Sequence, residues 1–565
     1  MDTATTCDSS EQLSRQSSSV EVEETPVPSP ETLVTLDSID DPLSAQNWPL
    51  RKKLWTALAY GLCCVSSTFA SALLSPATGL ISHRFGISDE VATFSTATLF
   101  LFGYVAGPFV WAPMSERLGR KIPMCLAMFG FVCFGAASAT AKDYQTLCLS
   151  RFFQGAMGAC PVAITIASFA DMFNPFHRAY ASTVFALTVF SGPMLASPVG
   201  GFTADNHSLG WHWCAWWGVL AGALSLLVAL TCASETYLPY LLKQKAVELR
   251  HETGNWALHS RLEEIRLPPG ELVKSLFKRP CLMMVQEPIL MLVSVYTAFV
   301  YALLYTFLDA YSVVFVEGYH MNLGVGGLPF FGLVTGLALA AFANILQQRF
   351  YVTPRLKRNN GVMVPEWRMP IAMTGALAFP LGLFWFGWTG AYPHSIHWIV
   401  PTASGIVTGY GILIIFMSFF TYLVDVYKTN SASAFAAATI IRSGLAAAFP
   451  LFATQMFHNL KVQFATTLLA LLAVLLAPVP VLFYFYGARI RARSRFALDE
   501  SGLEVRRSEK VEEEDEEEKV GALRIPTRGS AVHSDRHLKR ILSGEDNWMG
   551  SIRSVTREEM EIPES

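Results

Sequence analysis

The chain has 565 residues, of which 52% are hydrophobic and only 15% charged, where a soluble domain carries about a quarter charged residues. The charges gather in the first fifty positions, one central segment and the last seventy, so the net charge of −3 describes no single region. The apolar runs left between them are too long for a water-soluble core, and ten cysteines without a CxxC pair argue for small buried residues rather than metal or redox chemistry.

Residues 1–46 are rich in Ser, Thr, Glu and Pro, lack apolar periodicity and are expected to form a disordered tail. No basic start precedes an apolar stretch, so no cleavable signal peptide is expected and the first span serves for insertion. Runs of roughly 20 apolar residues, enough to cross the hydrocarbon core, fall at 54–74, 93–113, 122–141, 146–167, 179–204 and 211–232. After a polar insert, 235–286, they resume at 287–308, 326–346, 369–389, 398–422, 431–456 and 464–486. The expectation is an all-α membrane protein of two six-helix bundles, 47–234 and 287–496, joined by a linker carrying short surface helices. An acidic, disordered tail, 497–565, follows, with the run Glu512 to Glu518.

Lys and Arg placement orients the chain. With a cytoplasmic N-terminus the inner loops hold Arg51, Lys52, Lys53, Arg117, Arg120, Lys121, Arg178, the basic linker (Lys243, Lys245, Arg250, Arg261, Lys274, Lys278, Arg279), Arg355, Lys357, Arg358, Arg368, Lys428, Arg489, Arg491, Arg493 and Arg495. The outer loops hold only Arg84, Lys142 and Lys461. Both termini are thus expected in the cytoplasm. Asn206-His207-Ser208 is a glycosylation sequon on the outer side, with Asn206 the acceptor.

Within this frame several positions stand out. In the loop after the second span Gly119 permits a tight turn, and Glu116 with Arg117, Arg120 and Lys121 forms a candidate latch across the cytoplasmic face. Arg151 lies inside the fourth span, with Gln154 one turn on; an arginine there needs a partner, a wet cavity or a route to the surface. In the fifth span Gly192, Ala196 and Gly200 recur every four residues, a stripe for close helix approach, and Pro193 and Pro198 weaken the helix. In the seventh, Thr297, Tyr301, Tyr305 and Asp309 form one polar-aromatic stripe, expected to face a central cavity. Arg442 sits midway along the eleventh span, pairing with a group such as Asp425 or contacting an anionic ligand. Gly103 and Gly107 in the second span are echoed by Gly332 and Gly336 in the eighth, a weak internal repeat that suits rocking of two related halves.

The segment Ala112-Pro113-Met114-Ser115-Glu116-Arg117-Leu118-Gly119-Arg120-Lys121 resembles the signature loop of the major facilitator superfamily, with Ala112 where that family usually has Gly and Glu116 where it has Asp. Arg151-Phe152-Phe153-Gln154-Gly155 resembles the family's second motif, whose arginine is implicated in proton transfer. Gly192-Pro193 through Pro198, Gly200 and Gly201 resembles the motif of the drug:proton antiporter branch, Ser197 replacing a usual glycine, and the eleventh span holds no second copy. Asn47-Trp48, Glu235-Thr236-Tyr237-Leu238-Pro239, Gln286-Glu287-Pro288, Pro365-Glu366-Trp367-Arg368, the run Phe384 to Thr389, His397-Trp398-Ile399-Val400-Pro401, the run Tyr422 to Tyr427, Ser433-Ala434 and Phe449-Pro450-Leu451-Phe452 resemble the fungal twelve-span antiporters. The likeness runs over roughly 41–496.

That resemblance implies a monomeric exporter of toxic compounds or secondary metabolites, driven by protons, multi-pass in the plasma membrane, with the vacuolar membrane as the alternative. It implies no cofactor, no metal and no nucleic-acid partner. Arg151 and Asp309 are the candidates for proton coupling; Thr297, Tyr301, Tyr305, Arg151 and Gln154 are those for the substrate cavity. Export of polyamines or organic acids on the same fold is the second reading. A polytopic enzyme or receptor is a third, but the twelve histidines lack metal-ligand spacing and a receptor has no need of two repeated halves.

Overall fold

The computed structural model describes residues 32–38, 40–264, 282–359, 363–427, 431–492 and 494. In lipid every backbone polar group must be satisfied within its own segment, so the long apolar runs become helices. In chain order these are α1 (Leu50–Phe85), α2 (Asp89–Leu118), α3 (Lys121–Ala139), α4 (Tyr144–Met172), α5 (His177–Asp205), α6 (Gly210–Cys232), α7 (Pro288–Gly318), α8 (Leu323–Arg358), α9 (Pro365–Gly390) and α10 (Ile399–Tyr427). The eleventh, α11, is a bent pair, Ala437–Ala448 and Pro450–Leu460, broken by 47° where Pro450 has no N–H to donate. The last, α12, is Val462–Arg491. Counting the bent pair as one span gives twelve.

Several helices outrun the sequence expectation because their polar ends extend past the hydrocarbon. The 29 residues of α10 continue to Tyr427, five beyond the expected end. At about 1.5 Å per residue a helix of that length reaches roughly 44 Å, against an apolar core of about 30 Å. Helical regularity also breaks inside α2, where Phe94–Thr98 forms a π segment, and in α7, where Ser312–Gly318 does the same.

The two halves repeat one packing scheme. In the first, α2 packs on α4, α3 on α4 and α6, and α1 on α5; in the second, α8 packs on α10, α9 on α10 and α12, and α7 on α11. The echoed glycines make the matching contacts. A Cβ on Gly107 would come within 2.6 Å of the Ala156 carbonyl oxygen, and one on Gly336 within 2.9 Å of the Tyr410 amide nitrogen. The halves meet through α5 on α8 and α2 on α11, pairings that exchange under the same two-fold relation.

After α6 a surface helix, Leu238–Thr253, ends at Gly254 in the left-handed conformation (φ 69°). The expected tail of 1–46 is corrected here, because residues 32–38 and 40–46 carry structure. Val34 donates to the His259 carbonyl at 2.9 Å, and Lys245 on the linker helix pairs with Asp37 at 2.7 Å. The Leu43 and Asp37 amides hold the Asp41 carboxyl below the usual range. Residues 1–31, the 265–281 part of the linker with Lys274, Lys278 and Arg279, the positions Lys428, Arg493 and Arg495, and the tail 497–565 lie outside the described residues.

The glycine contacts make a direct test. Gly103 of α2 lies on the α4 backbone, where a Cβ would sit 2.8 Å from the Gly155 carbonyl carbon, whereas Gly444 of α11 has nothing within 4 Å. Gly103→Val is expected to destabilise by at least the roughly 1–3 kcal/mol typical of overpacking, and Gly444→Ala to leave stability unchanged or slightly raised. Melting of the purified variants in detergent reads both; equal melting temperatures would refute the packing argument.

Candidate transport pathway

Two cavities lie along the interface between the halves. One, of about 310 Å³, opens at the end where the linker and the α2–α3 loop lie. Its walls are Tyr104, Pro108 and Glu116 of α2, Val162 and Asp171 of α4, Phe185 of α5, Phe420 of α10, and Phe435, Thr439 and Arg442 of the α11 region. The other, of about 380 Å³, lies toward the far end and is lined by Pro76, Asp89, Ser197, Asp309, Glu317 and Phe330. No residue lines both.

At the far end the halves are tied together. Gln455 donates to Glu90 at 2.9 Å, and Asp205 accepts from the Gly324 amide at 2.8 Å. The hydroxyl of Thr98 donates to the Ala447 carbonyl at 2.9 Å, beside the α11 bend. The fifth-span motif takes part. Gly201 lies against the Leu323 carbonyl and a Cβ on Gly327 would sit 2.6 Å from the Pro198 Cα, both across the interface, while within the first half a Cβ on Gly192 would sit 2.8 Å from the Phe69 amide of α1. Gly200 abuts the Leu73 carbonyl at 2.6 Å by the same measure. Pro193 is within α5, so its ring leaves a helix carbonyl without its usual donor.

Between the cavities lies a buried layer built on two arginines. Arg151, only 2% exposed, donates through Nη1 to the Ala70 carbonyl (3.1 Å) and Gln154 Oε1 (3.0 Å), and through Nη2 to the carbonyls of Ser71 (3.3 Å) and Thr96 (2.5 Å). The Thr96 carbonyl belongs to the π segment of α2, and the guanidinium also lies 4.5 Å over the Phe100 ring. A charge at mid-membrane costs about 2.5–3.5 kcal/mol, and hydrogen bonds to a charged group contribute about 1.5–3 kcal/mol each. The fork of neutral acceptors is therefore sufficient to hold Arg151 without a counter-ion.

Arg442 is different. It is 8% exposed and lies 4.9 Å over the Tyr301 ring and 5.3 Å over Phe416; its Nε, like that of Arg151, has no hydrogen-bond partner, but no fork of acceptors among the described residues holds its other nitrogens. Stacking of this kind supplies about 0.5–2 kcal/mol, less than the cost of the charge. The expected pairing with Asp425 is corrected, since Asp425 takes Arg368 at 2.9 Å, toward the linker end of the bundle.

The seventh-span stripe is also placed differently. Tyr301 and Tyr305 are fully buried, their hydroxyls 3.5 Å apart, and Tyr305 shares a 3.0 Å hydrogen bond with Ser71 of α1. They form the layer between the cavities rather than the wall of either. Thr297 donates to its own helix at Val293, and Gln154 is turned to Arg151, so neither reaches the cavity that opens. Asp309 alone of the stripe lines a cavity, the far one, and its Oδ2 is buried without a partner. A four-residue repeat identifies one face of a helix, but not whether that face meets open space or another bundle.

At the linker end the α2–α3 loop is tied down by groups the sequence reading did not pair with it. Arg120 bridges to Asp171 at 3.1 Å and donates to Ser115 at 2.8 Å, in place of Glu116, which stands at the cavity mouth. Glu235 accepts the amides of Arg120 (2.7 Å) and Lys121 (2.9 Å). Gly119, at φ 80°, has room for no Cβ, which would meet the Glu235 carboxylate carbon at 2.6 Å. Arg117 is exposed. The second half repeats the arrangement with Arg368 on Asp425 and Arg491 on Glu366 at 3.3 Å. Glu235 and Glu366 both stood in segments resembling the family, yet only the fold brings them to their partners.

Two related six-helix bundles enclosing a cavity between them define a membrane transporter. The chain belongs to the Major Facilitator Superfamily, whose profile matches residues 60–450. It is 41% identical over 466 residues to the multidrug transporter FLU1 of Candida albicans, covering 82% of this chain and 76% of that one. To the citrinin biosynthesis cluster transporter mrr1 of Monascus ruber it is 41% identical, covering 82% and 92%. It is 40% identical to the multidrug transporter TPO1_2 of Candida glabrata, covering 82% and 79%. Among solved structures it shares its fold with the proton:xylose symporter XylE at a TM-score of 0.55 and 16% identity, over 78% of this chain and 96% of that one. The human organic anion transporter MFSD10 gives 0.53 at 16% identity, over 76% and 100%.

The Arg151 fork makes its own test. Arg151→Lys keeps the charge but loses the planar geometry that reaches three backbone carbonyls and Gln154 at once. The variant is expected to melt lower than the parent and to transport at least about tenfold more slowly, a loss on the scale of one charge-assisted hydrogen bond. A variant matching the parent in both would show that the fork is dispensable.

Proposed function

We propose that this transporter exports small organic molecules, toxic compounds or secondary metabolites, across the plasma membrane in exchange for protons, as a monomer working by alternating access. The observation that carries the reading is the pair of cavities on opposite sides of one buried layer, each lined by residues of both halves. The linker-end cavity, of about 310 Å³, suits a small ligand, and its aromatic and aliphatic walls suit an apolar one. The linker end is read as cytoplasmic, with both chain termini there, because Arg117, Arg120, Lys121, Arg355, Lys357, Arg358 and the linker cations gather at it. The cavity then faces the cell interior, as loading of an exporter requires. The names of the relatives, multidrug transporters and a transporter of a biosynthesis cluster, support this class of cargo.

For the proton, Asp309 is the favoured carrier. It lines the far cavity, which this orientation places on the outer side, and its unpartnered oxygen leaves it free to take up a proton. Arg151 then acts by holding the layer beneath. Asn206 is exposed at the far end, its side chain bonded to the Ser208 hydroxyl at 2.7 Å, and is the proposed glycosylation site. A polycationic cargo such as a polyamine is disfavoured by Arg442 in the cavity wall.

Inside-out vesicles or proteoliposomes with an acidic lumen test the reading, using uncharged, cationic and anionic aromatic dyes as cargo. Uptake of at least one dye should be driven by the gradient and abolished by a protonophore, and Asp309→Asn should remove the gradient-driven component at normal expression. Uptake indifferent to the gradient would refute proton coupling.

A further inference from the structure

We propose that the linker-end cavity recognises organic anions, an aromatic or apolar body carrying one carboxylate or comparable acidic group, with Arg442 as the residue that binds the charge. The inference rests on this cavity being the substrate site and adds to it the chemical class of the ligand.

Three observations converge. Arg442 is more than nine-tenths buried, yet it belongs to the cavity wall. No ion pair or hydrogen bond among the described residues involves the Arg442 side chain, whose Nε is buried without a partner; the Arg151 Nε is likewise unpartnered, but its two Nη groups are held by neutral acceptors. The rings of Tyr301 and Phe416 lie 4.9 and 5.3 Å from the guanidinium carbon and hold the group at the cavity wall. A buried planar fork without an acceptor is matched by the two oxygens of a carboxylate.

The other charges around the cavity leave that role to Arg442. Arg120 is engaged by Asp171 and Ser115. Glu116 stands at the mouth, twelve residues along α2 from Tyr104, a distance of roughly 18 Å at the helical rise. The wall around the deep cation is Phe185, Phe420, Phe435 and Val162, with Thr439 one turn before Arg442 on the same helix. An amphiphilic anion therefore finds its charge satisfied at the inner end and its body covered by rings. A neutral ligand of the same shape gains only the second, and a cation meets repulsion at the deepest point.

Equilibrium binding to the full-length protein in nanodiscs, with no pH gradient, tests this apart from proton coupling. The probe is radiolabelled 2-naphthoate, with 2-naphthamide and 2-naphthylmethylamine as competitors of nearly the same shape. In the unmodified protein naphthoate is expected to bind at least tenfold more tightly than the amide, and the amine to bind weakest. Arg442→Gln should cost naphthoate at least tenfold and leave the amide unchanged, and Arg442→Lys should fall between. The unmodified protein decides the question even if Arg442→Gln does not fold. Absence of saturable naphthoate binding, equal affinity for acid and amide, or equal loss of both in Arg442→Gln would overturn the proposal. Gradient-driven transport of a neutral dye would survive any of those outcomes.

Discussion

The first bundle depends on a guanidinium that has no counter-ion. The four acceptors around Arg151 come from the end of the long segment of α1, the π segment of α2 and the next turn of α4. Carbonyls inside a regular helix are already committed to the helix ladder, so an intramembrane charge needs acceptors released by an irregularity or shared at a helix end. The π segment Phe94–Thr98 and the break after Ala72 in α1 supply both. Gly103 and Gly155 allow α2 to lie on α4 closely enough to deliver them. Ser71, one of the acceptors, also holds the Tyr305 hydroxyl of α7, so the fork that organises one half is joined to the layer that meets the other.

From that layer outward the molecule divides by physical environment. The far end is closed by side chains that reach backbone atoms across the interface, as Asp205 and Thr98 do, contacts that two rigid bundles can release together. Toward the linker end the ion pairs instead stay within one bundle, and Asn344 of α8, which donates to Thr183 of α5 at 2.7 Å, is a side-chain contact that crosses. Arg120 with Asp171 and Glu235, and Arg368 with Asp425, hold loop to helix inside one half and do not cross to the other. These intra-bundle ion pairs let each half move as a unit, which suits rocking about a site held between repeats.

The fold was legible in the sequence to a high degree because lipid imposes a simple rule. Apolar length marks each span, and the Gly103–Gly107 and Gly332–Gly336 pairs mark the repeat. The resemblance at Ala112 to Lys121 and at Arg151 to Gly155 pointed to the family that residues 60–450 match. Side-chain partners were far less legible. Asp425 was a natural partner for Arg442 by chain proximity, yet it lies near the end of α10 while Arg442 lies beside Tyr301. The Tyr301 and Tyr305 stripe was recognisable as a non-lipid face, but periodicity does not distinguish a cavity wall from the plug between two cavities. The bend at Pro450 was visible as a residue, and its consequence, the Ala447 carbonyl offered to Thr98, was not.

The central claim is that the buried arginine–tyrosine layer separates two compartments that are never open together. Its most direct test is thiol accessibility in a cysteine-free background, with Thr439→Cys in the linker-end cavity and Ser312→Cys in the far cavity. Each would be labelled by a membrane-impermeant maleimide from one side of sealed vesicles at a time. The account predicts that position 439 reacts only from the linker side and position 312 only from the other, with an imposed pH gradient shifting the two rates in opposite directions. Labelling of either position from both sides in a single state would contradict it.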